Sequence, residues 1–452
     1  MPWVRPLSCV AMARLFGTDG VRGLAGSELS ADLARRVGTA AVLVLGAHGD
    51  RRPTFVVGRD TRSSGTWLED ALVDGIRRAG GDVVLVGVEP TPAVAFITVD
   101  LGASSGVVIS ASHNPAEYNG IKFFGADGMK LSDALEDEIE ASLDAEPPVR
   151  ELGHVRSSPE ARARYLAHLV DAASAPLDGM TIVVDCANGA ASELAPEVYR
   201  RLGATVHAIH AAPDGENINA GVGALHPEVA AREVVRRGAD AGVSHDGDAD
   251  RVLFADAGGA VIDGDQVLAA AAVALRDEGR LPGDAVVTTV MANIGFTEAM
   301  AEHGIRVIET KVGDRYVLEA MEREGAALGG EQSGHLIFRE HATTGDGLLT
   351  AVRFLSLTAA KGVTVRDLAA VMHRYPQVMI NVPVADRAGL DAAAPVSEAI
   401  SRAEEDLGGS GRILVRPSGT EPLIRVMVEA PTEDDARRHA ETVAAAVRSA
   451  LG

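Results

Sequence analysis

The sequence predicts an α/β protein in which three similar α/β domains, with mixed and mostly parallel sheets, precede a smaller C-terminal α+β domain. Its 452 residues exceed the roughly 250–300 residues at which a single hydrophobic core stops growing. As far as residue 374, apolar runs typical of strands alternate with helical segments, which indicates βαβ units. From residue 375 onward there are too few such crossovers for another doubly wound sheet.

Changes in composition set the predicted domain boundaries. Residues 1–13 precede the first patterned stretch and are interpreted as an N-terminal extension. A Pro-rich, charged stretch over 146–155 has the character of a linker between the first two domains. We therefore predict domains over 14–157, 158–262, 263–374 and 375–452.

Composition excludes several classes of protein. No apolar run approaches the ~20 residues that cross a bilayer, and the N-terminus lacks the charged start and long apolar segment of a secretory signal. The two cysteines, Cys9 and Cys186, exclude a disulfide framework and a cysteine-rich zinc site, which favours the cytoplasm. A net charge of −22 argues against nucleic-acid binding, because the overall field repels a polyanion. An anionic substrate would need local clusters of Arg and Lys.

Ser112 lies in the first candidate loop, which we call the serine loop (residues 110–118). The loop follows an apolar run and precedes a second predicted strand that carries Lys122. The turn formers Ser, His, Asn and Pro end the first strand, so the Ser112 hydroxyl is expected at the exposed tip of the loop. Taken alone, this composition is more typical of a hairpin turn in which Ser112 only caps backbone groups.

A second candidate, the aspartate loop (residues 246–251), has the pattern of a metal site. Asp246, Asp248 and Asp250 alternate in a glycine-containing turn, a spacing that aims three carboxylate oxygens at one hard cation. An EF-hand is excluded, because its sixth position would be Arg251 rather than Gly and its twelfth Ala257 rather than Glu. Three oxygens leave coordination positions open, which suits one Mg²⁺ that also holds a phosphate oxygen. A solvated acidic turn is the alternative.

Two basic loops precede the serine loop. Arg22 lies among three glycines, where the backbone approaches a ligand closely and the guanidinium can fork onto phosphate oxygens. The stretch Gly58-Arg59-Asp60-Thr61-Arg62 follows a strand at its carboxyl end, where open α/β sheets bind ligands. A plain structural loop is the alternative for the first, and a solvated or sheet-capping Arg–Asp pair is the alternative for the second.

Three later segments are candidates for substrate binding. Lys311 and Arg315 flank a glycine at a helix start, which suits an anion. Glu331 and Ser333 are two residues apart, so in extended backbone both would face the same side and bind sugar hydroxyls; an incidental glycine-flanked turn is the alternative. Between the last two predicted strands, a loop offers amides, hydroxyls and charge to one phosphate. Its predicted contacts are Arg416, Ser418, Gly419, Thr420 and Arg425.

Four loops, one per predicted domain, resemble those of the α-D-phosphohexomutases. Their sequences are, in order, Ser-His-Asn-Pro, Asp-Gly-Asp-Ala-Asp-Arg, Gly-Glu-Gln-Ser-Gly-His and Arg-Pro-Ser-Gly-Thr-Glu-Pro. Within that superfamily, Phe-Gly-Thr-Asp-Gly-Val-Arg-Gly, the stretch 217–223 and Gln332 are most similar to the bacterial phosphoglucosamine mutase branch. The phosphomannomutase/phosphoglucomutase branch usually carries Met in place of Gln332 and His in place of Asp314.

The resemblance implies a site in a central cleft, to which each domain contributes. It implies a phosphoserine domain, a metal-binding domain, a sugar-binding domain and a phosphate-binding domain, in chain order. Ser112 would carry a phosphoryl group, and together with the three aspartates it would bind one Mg²⁺. Four further residues would supply charge or move protons, with no choice among them as acid or base. They are Arg22, Lys122, Arg251 and His335.

The implied reaction interconverts glucosamine 6-phosphate and glucosamine 1-phosphate. It would run through a phosphoserine enzyme and glucosamine 1,6-bisphosphate, and feed UDP-N-acetylglucosamine and cell-wall synthesis. The alternatives are a phosphomannomutase/phosphoglucomutase of the same superfamily and a non-catalytic phosphosugar-binding protein, which loss of the serine or of an aspartate would favour. A phosphosugar substrate is the expected partner, with no nucleic acid and no membrane. An activating kinase and a homodimer are left open.

Overall fold

The computed structural model describes residues 14–17, 19–49, 52–147, 150–385, 387–418 and 422–452. Gly419 and Thr420 of the predicted phosphate loop, and the predicted extension 1–13, lie outside these residues. The chain divides into two compact units. The first consists of Met1–Ile262, Gly313–Glu319 and Ser333–Val365, and the second of Asp263–Val312, Ala320–Gln332 and Arg366–Gly452.

A seven-stranded mixed sheet organises the N-terminal part of the first unit. Its strands are β1 (Phe16–Gly17), β2 (Gly20–Leu24), β3 (Thr54–Arg59), β4 (Asp82–Val88), β5 (Ser105–Ile109), β6 (Tyr118–Gly125) and β7 (Val155–Ser157). They are hydrogen-bonded in the order β1-β2-β6-β5-β3-β4-β7. Strands β5, β3, β4 and β7 are parallel, whereas β1, β2 and β6 pair antiparallel with their neighbours. The accompanying helices are α1 (Ala31–His48), α2 (Ser64–Arg78), α3 (Thr91–Asp100), α4 (Asp133–Ala141) and α5 (Glu160–Asp171).

Helix α1 of this sheet forms where the sequence supplies a cap and an apolar face. Ser30 caps α1, because its side chain accepts a hydrogen bond from the Leu33 amide. Val37 and Ala41, one helical turn apart, are buried in the same core as Phe55 of β3. The core thus fixes β3 and β5, whose carboxyl ends lead directly into the loops of interest.

A second sheet in the first unit has five strands in the order β12-β11-β10-β8-β9. These strands are β8 (Thr181–Asp185), β9 (Thr205–Ile209), β10 (Ala241–His245), β11 (Val252–Asp256) and β12 (Val261–Ile262), with helices α6 (Leu194–Arg201) and α7 (Pro227–Arg237). Strands β8, β9 and β10 are parallel, and β11 returns antiparallel to β10. The aspartate loop is the turn that joins β10 to β11.

The second unit contains a parallel set of strands and a separate antiparallel sheet. The parallel strands are hydrogen-bonded in the order β14-β13-β15, with β13 (Ala285–Thr289), β14 (Arg306–Thr310) and β15 (Leu328–Gly330). The antiparallel order is β17-β19-β18, with β17 (Gln377–Pro383), β18 (Arg412–Pro417) and β19 (Leu423–Glu429). Its helices are α8 (Gly264–Asp277), α9 (Ile294–Glu302), α13 (Ala394–Leu407) and α14 (Glu433–Leu451). The remaining elements are α10 (Asp314–Glu324), β16 (Leu336–Phe338), α11 (Gly347–Lys361) and α12 (Val365–Ala369).

The predicted fold class is confirmed, including the change of architecture near residue 375. Strand β7 was not predicted: it begins at Val155, the last residue of the charged stretch that was interpreted as a linker, and it pairs in parallel with β4 at the sheet edge. Its residues are all exposed, so the segment has no apolar periodicity that could have indicated a strand. Within the described residues, no helix is both long enough and apolar enough to cross a membrane.

Candidate active site

Ser112 lies three residues beyond β5, in backbone that a serine seldom adopts. Its φ angle is +49°, in the left-handed region that favours glycine. The side chain is buried, with only 1% of the residue exposed. Its hydroxyl donates a hydrogen bond of 2.8 Å to Oδ2 of Asp246. The serine loop therefore presents its hydroxyl to the aspartate loop rather than to open solvent.

The pair Asp60–Arg62 supports the serine loop from below. The carboxylate and guanidinium are 2.8 Å apart and both side chains are fully buried. Arg62 donates to main-chain carbonyls of the serine loop, and Asp60 accepts from Ser110 across 2.6 Å. The structure contains an Arg–Asp pair, as the structural interpretation of this motif expected, but the pair is buried rather than solvated and it holds the serine loop rather than capping the sheet.

The three predicted metal ligands come together as a buried cluster. Carboxylate oxygens of Asp246, Asp248 and Asp250 all lie within 4.8 Å of one another. Oδ1 of Asp248 and Oδ1 of Asp250 are buried and accept no hydrogen bond from the described residues. Buried carboxylate oxygens without donors are costly unless a cation neutralises them. The donor set and the orphaned oxygens fit a hard divalent cation such as Mg²⁺.

The elements around the aspartate loop fix these carboxylates. Strand pairing places His245 opposite Val252, so the intervening turn is short and tight. Ala249, between two of the aspartates, has a φ of +55°. Thr91, the first residue of α3, donates from its amide to the Asp248 carbonyl (3.0 Å) and from its hydroxyl to the Asp248 carboxylate (2.7 Å). The start of α3 therefore positions the central aspartate.

The charge of the cluster is distributed unequally. Burial, together with the adjacent Asp250 and Asp248, raises the pKa of Asp246 well above its usual range. Burial also acts to raise the pKa of Asp250, but the contact with His335 and the charges of Lys122 and Arg251 outweigh it and lower that pKa.

Lys122 supplies a buried positive charge to the cluster. In the β5–β6 register it stands opposite Val108, so the strand that follows the serine loop carries it back to the site. Its Nζ lies 2.9 Å from Oδ2 of Asp248 and 3.0 Å from Oδ2 of Asp19. Burial lowers the pKa of Lys122, but Asp19 and Asp248 more than compensate, so the net change is upward. Lys122 is therefore a persistent cation rather than a ready general base.

A second lysine, Lys130, extends this charge network. It forms ion pairs with Asp19 and Asp314, and these two carboxylates raise its pKa although burial opposes the change. Asp19 also pairs with the predicted site residue Arg22. The predicted site residue Arg251 lies near Asp250, with Nε 3.8 Å from Oδ1. The loop that contains Arg22 thus contributes a carboxylate as well as a guanidinium.

His335 contacts the aspartate loop at Asp250. Its Nδ1 is 3.6 Å from Oδ2 of Asp250 and its Nε2 is 3.8 Å from Oδ2 of Asp314. The amide of Gly345 donates to Nε2 across 3.2 Å, which assigns the proton of the neutral ring to Nδ1, facing Asp250. A Cβ at Gly345 would lie 2.3 Å from the ring, so only glycine leaves room for this orientation.

His113 is a neighbour of the hydroxyl that the sequence did not single out as a site residue. Its Nδ1 lies 3.3 Å from Ser112 Oγ. Burial, and then the charges of Arg251 and Arg22, lower its pKa to about 4. The imidazole is therefore neutral at pH 7, which is the state that can accept a proton.

The predicted sugar-binding residues are arranged differently from the expectation. The prediction that Glu331 and Ser333 face one side required extended backbone, but residues 332 and 333 form a turn after β15 ends at Gly330. The same-side argument is therefore wrong, because the two-residue period holds only in a strand. Glu331 belongs to the second unit and Ser333 to the first, and Lys311 is exposed in the second unit.

The described part of the predicted phosphate loop brings two arginines together. Arg416 of β18 and Arg425 of β19 are directly opposed in the antiparallel register. Burial, and then the like charge of Arg425, lower the pKa of Arg416. Opposed like charges destabilise a strand pair, and a bound anion would relieve that repulsion. Ser418 is buried beside them, and its amide donates to the Leu423 carbonyl across 2.9 Å.

Comparison with known proteins assigns the family. Four models described as phosphoglucomutase/phosphomannomutase match the chain in order. Their alpha/beta/alpha domains I, II and III match residues 13–150, 163–259 and 263–375, and the C-terminal domain matches residues 379–446. The chain belongs to the phosphoglucomutase/phosphomannomutase family. The predicted resemblance is thereby confirmed, and the protein is a phosphohexomutase, an enzyme of the isomerase class.

Relatives of this phosphohexomutase match it along nearly the whole chain. The phosphoglucosamine mutase of Corynebacterium jeikeium is 54% identical, over 96% of this chain and 99% of its own length. That of Streptomyces griseus is 51% identical, over 98% of this chain and 100% of its own. A crystal structure of a phosphoglucomutase/phosphomannomutase family protein from Burkholderia thailandensis is 26% identical, with a TM-score of 0.81 over 97% of each chain.

Several residues of the phosphohexomutase site escaped the sequence analysis. Lys130 and Thr91 come from segments with no motif of their own, so nothing local indicated them. Asp19 lies three residues from Arg22, and this opposite charge in a Gly-rich loop was the available signal. Asn219 lies in the stretch 217–223, which was quoted only for its likeness to one branch of the superfamily. The structure brings it to the serine loop.

Proposed function

We propose that this protein interconverts glucosamine 6-phosphate and glucosamine 1-phosphate, with Ser112 as the phosphoryl carrier. The full-length phosphoglucosamine mutase relatives support the reaction and the amino sugar. The observation that carries the mechanism is the 2.8 Å contact between the Ser112 hydroxyl and Asp246, one of three clustered carboxylates. A hydroxyl held beside carboxylates that can bind a cation suits phosphoryl transfer, which depends on positioning and on neutralising charge.

The aspartate cluster is proposed to hold one Mg²⁺. Asp246, Asp248 and Asp250 would be its protein ligands, and the phosphorylated Ser112 would offer a further oxygen. When bound, the ion neutralises charge on the transferring phosphoryl group. Lys122 adds a fixed positive charge beside Asp248, and Arg251 lies beside Asp250. These residues therefore stabilise the charge that develops during transfer.

The proposed transfer conserves one phosphoryl group on the enzyme. In the first half, the bond between phosphorus and Ser112 Oγ breaks as the free sugar hydroxyl oxygen of glucosamine 6-phosphate bonds to phosphorus. The hydroxyl gives up its proton, and Ser112 ends as a neutral alcohol. The product is glucosamine 1,6-bisphosphate. This intermediate reorients in the site and returns its other phosphoryl group to Ser112. Candidates for moving the proton are His335, the neutral His113 and Arg22.

The substrate is proposed to be held by groups that do not react. Arg416 and Arg425 carry like charges on opposed strand positions, and a bound phosphate would neutralise both. Further predicted donors to that phosphate are Ser418, Gly419 and Thr420. Glu331, Ser333 and Lys311 remain the predicted contacts to the sugar. We propose one role for each domain. The phosphoserine domain spans 14–157 and the metal-binding domain 158–262, followed by the sugar-binding domain over 263–374 and the phosphate-binding domain over 375–452. The enzyme is proposed to act in the cytoplasm, on a phosphosugar.

A comparison of sugar phosphates tests the reaction. Coupled assays would measure kcat/KM for glucosamine 1-phosphate, glucose 1-phosphate and mannose 1-phosphate with the same enzyme preparation. We expect glucosamine 1-phosphate to be preferred by at least roughly tenfold, because a site built for one polar group discriminates against its absence. Preference for either of the other two would instead indicate a phosphoglucomutase or phosphomannomutase.

A serine variant tests the carrier. Ser112→Ala should abolish turnover and remove the covalent phosphate, which mass spectrometry of proteolytic peptides detects. Ser27→Ala is the control, since Ser27 is exposed and lies outside the serine and aspartate loops. Full turnover in Ser112→Ala, or phosphate mapped to another residue, would refute the assignment.

Thermal unfolding tests the metal. Added Mg²⁺ should raise the Tm of the wild type, since a ligand at 100 times its Kd stabilises by about 2.7 kcal/mol. In Asp248→Asn the rise should disappear, whereas Asp277→Asn, an exposed acid of α8, should retain it. An equal rise in all three proteins would show that the ion binds elsewhere.

A further inference from the structure

We propose that Arg62 and Asn219 are positioning residues that together hold the main chain of the serine loop and so aim Ser112 Oγ at Asp246. The proposal rests on the proposed function, in which Ser112 carries the phosphoryl group. Among the described residues, neither side chain is hydrogen-bonded to Asp246, so both act through the backbone of the loop. The stretch 217–223, quoted above only for its similarity to the bacterial phosphoglucosamine mutase branch, thereby acquires a structural role in holding the serine loop.

Arg62 reaches the serine loop from the end of β3. Its Nη2 donates to the carbonyls of Ser112 (3.0 Å) and Asn114 (2.8 Å). Its Nη1 donates to the carbonyls of Tyr118 (2.9 Å) and Pro115. The planar guanidinium, which cannot lose its proton, thus binds four carbonyls of one loop in a fixed geometry.

Asn219 reaches the same loop from a different segment of the chain. Its Nδ2 donates to the carbonyls of Ser112 (2.9 Å) and Asn114 (3.0 Å), the two that Arg62 also binds. A carbonyl oxygen has two lone pairs, so the two donors saturate each of these acceptors. Because both neighbours of this end of the Asn219 side chain are carbonyl acceptors, the end that faces them must be the NH₂ group rather than the oxygen. The carbonyls of Ser112 and Asn114 are therefore each held by two donors, one from Arg62 and one from Asn219.

The backbone of Ser112 explains why such support is needed. A φ of +49° is unfavourable for a serine and persists only where the surroundings determine it. The Ser112 amide donates to Ser110 Oγ (3.0 Å), and Ser110 donates to Asp60 Oδ2 (2.6 Å). Asp60 pairs with Arg62, which returns to the Ser112 carbonyl. Both polar groups of the Ser112 backbone thus belong to one closed ring of buried contacts.

The aspartate loop packs against the same carbonyl. A Cβ at Gly247 would lie 2.6 Å from the Ser112 carbonyl oxygen and 2.7 Å from Nδ2 of Asn219. Glycine therefore lets the loop that carries the metal ligands approach the backbone of the nucleophile directly. Because Arg62, Asn219 and Gly247 meet at one oxygen, the backbone sets the distance from Ser112 Oγ to the aspartates.

Two variants of Asn219 test the proposal in the full-length enzyme. Asn219→Asp keeps the shape but places an anionic oxygen against two carbonyls. Asn219→Gly removes both hydrogen bonds while allowing the φ of +57° at this position. We expect kcat to fall roughly 10- to 100-fold in both, and KM for glucosamine 1-phosphate to stay within about twofold, because a misaimed nucleophile slows transfer without weakening substrate binding.

Asn217→Ala is the matched control. Asn217 lies on the same loop, where its side chain bonds only to its own segment, to the Asp214 amide and the Ala212 carbonyl. We expect its kcat to remain at the wild-type value. Phosphorylation of the dephosphorylated enzyme by glucosamine 1,6-bisphosphate should slow in the Asn219 variants and not in this control. A purely structural role would lower the Tm without changing kcat per folded molecule.

Other outcomes overturn the proposal or its premise separately. Wild-type kcat in folded Asn219→Gly, or an equal loss in Asn217→Ala, would overturn the positioning role. Turnover by Ser112→Ala would overturn the proposed function instead. Arg62→Lys tests the second member: if it folds, kcat should fall as in the Asn219 variants, and wild-type kcat there would also refute the proposal.

Discussion

Lys122 donates a hydrogen bond of 2.9 Å to Asp248 in the interior of the first unit, where neither side chain is more than 2% exposed. Asp19 shares the same ammonium group at 3.0 Å. A buried charge is stable only while its partners remain, so each member of this group depends on the others.

Removal of the ammonium should therefore destabilise the protein as well as inactivate it. Lys122→Met removes the cation beside the buried Asp248, whereas Asp19 keeps its ion pairs with Lys130 and Arg22. Urea unfolding without added Mg²⁺ should therefore show a loss of about 3–5 kcal/mol in unfolding free energy. Lys361→Met, at the exposed end of α11, should change stability by less than about 0.5 kcal/mol. A loss in Lys122→Met no larger than in this control would mean that the charges are not mutually dependent.

Gly345 offers a way to displace the His335 ring without changing a polar group. A Cβ there would lie 2.3 Å from the ring, so Gly345→Ala must displace the ring from its present position beside Asp250. We expect a destabilisation of about 1–3 kcal/mol, typical of an overpacked interior, and a lower kcat. Gly46→Ala is the control, since its Cβ would lie 3.7 Å from Pro53 and it sits within α1. That change should stabilise by about 0.5–1 kcal/mol. Unaltered kcat in Gly345→Ala would separate the ring from catalysis.

Asp346 should make stability depend on pH. It caps α11 and accepts a hydrogen bond of 2.7 Å from the Tyr165 hydroxyl. Burial of its carboxyl group outweighs these hydrogen bonds and raises its pKa to about 6. Because the folded-state pKa lies above the usual 3.8, the folded state binds the proton more tightly. Its stabilising contribution is complete below about pH 4 and is lost as the pH rises through 6. The rise in pKa corresponds to about 3 kcal/mol.

Asp346→Asn should remove this dependence, since Asn still caps the helix and cannot ionise. Urea unfolding between pH 4 and 7.5 measures it. The difference in unfolding free energy between variant and wild type should shift in favour of the variant, by up to about 3 kcal/mol, as the pH rises. A difference that is constant with pH would place the pKa of Asp346 near its ordinary value.

Arg425→Ala should have opposite effects on binding and stability. It removes one of two opposed cross-strand charges, so stability should be unchanged or rise by up to about 1 kcal/mol. The KM for glucosamine 1-phosphate should rise at least roughly tenfold, because a charge-assisted contact to phosphate is lost. Arg402→Ala, an exposed residue of α13, should leave KM unchanged. An unchanged KM in Arg425→Ala would remove this loop from the substrate site.

The spacing of Asp246, Asp248 and Asp250 indicated correctly that these three carboxylates lie together, and the family resemblance implied that Ser112 lies with them. Both loops are local motifs: turn formers end a strand at Ser112, and a two-residue spacing groups the carboxylates of Asp246, Asp248 and Asp250. Such patterns depend on neighbours in the chain and are visible without coordinates. The fold class followed in the same way from the alternation of apolar runs, and the family from the order of four loops.

The tertiary structure decided what depends on distant segments. The turn at 332–333 replaced the extended backbone expected for Glu331 and Ser333. Arg62 and Asn219, 157 positions apart in the sequence, meet at the carbonyl of Ser112. Main-chain carbonyls carry no sequence signal, so no motif could have indicated that contact. The sequence thus determined which groups are available for phosphoryl transfer, whereas tertiary packing decided how Ser112 is held against its neighbours, because buried backbone groups must find donors wherever the fold brings them.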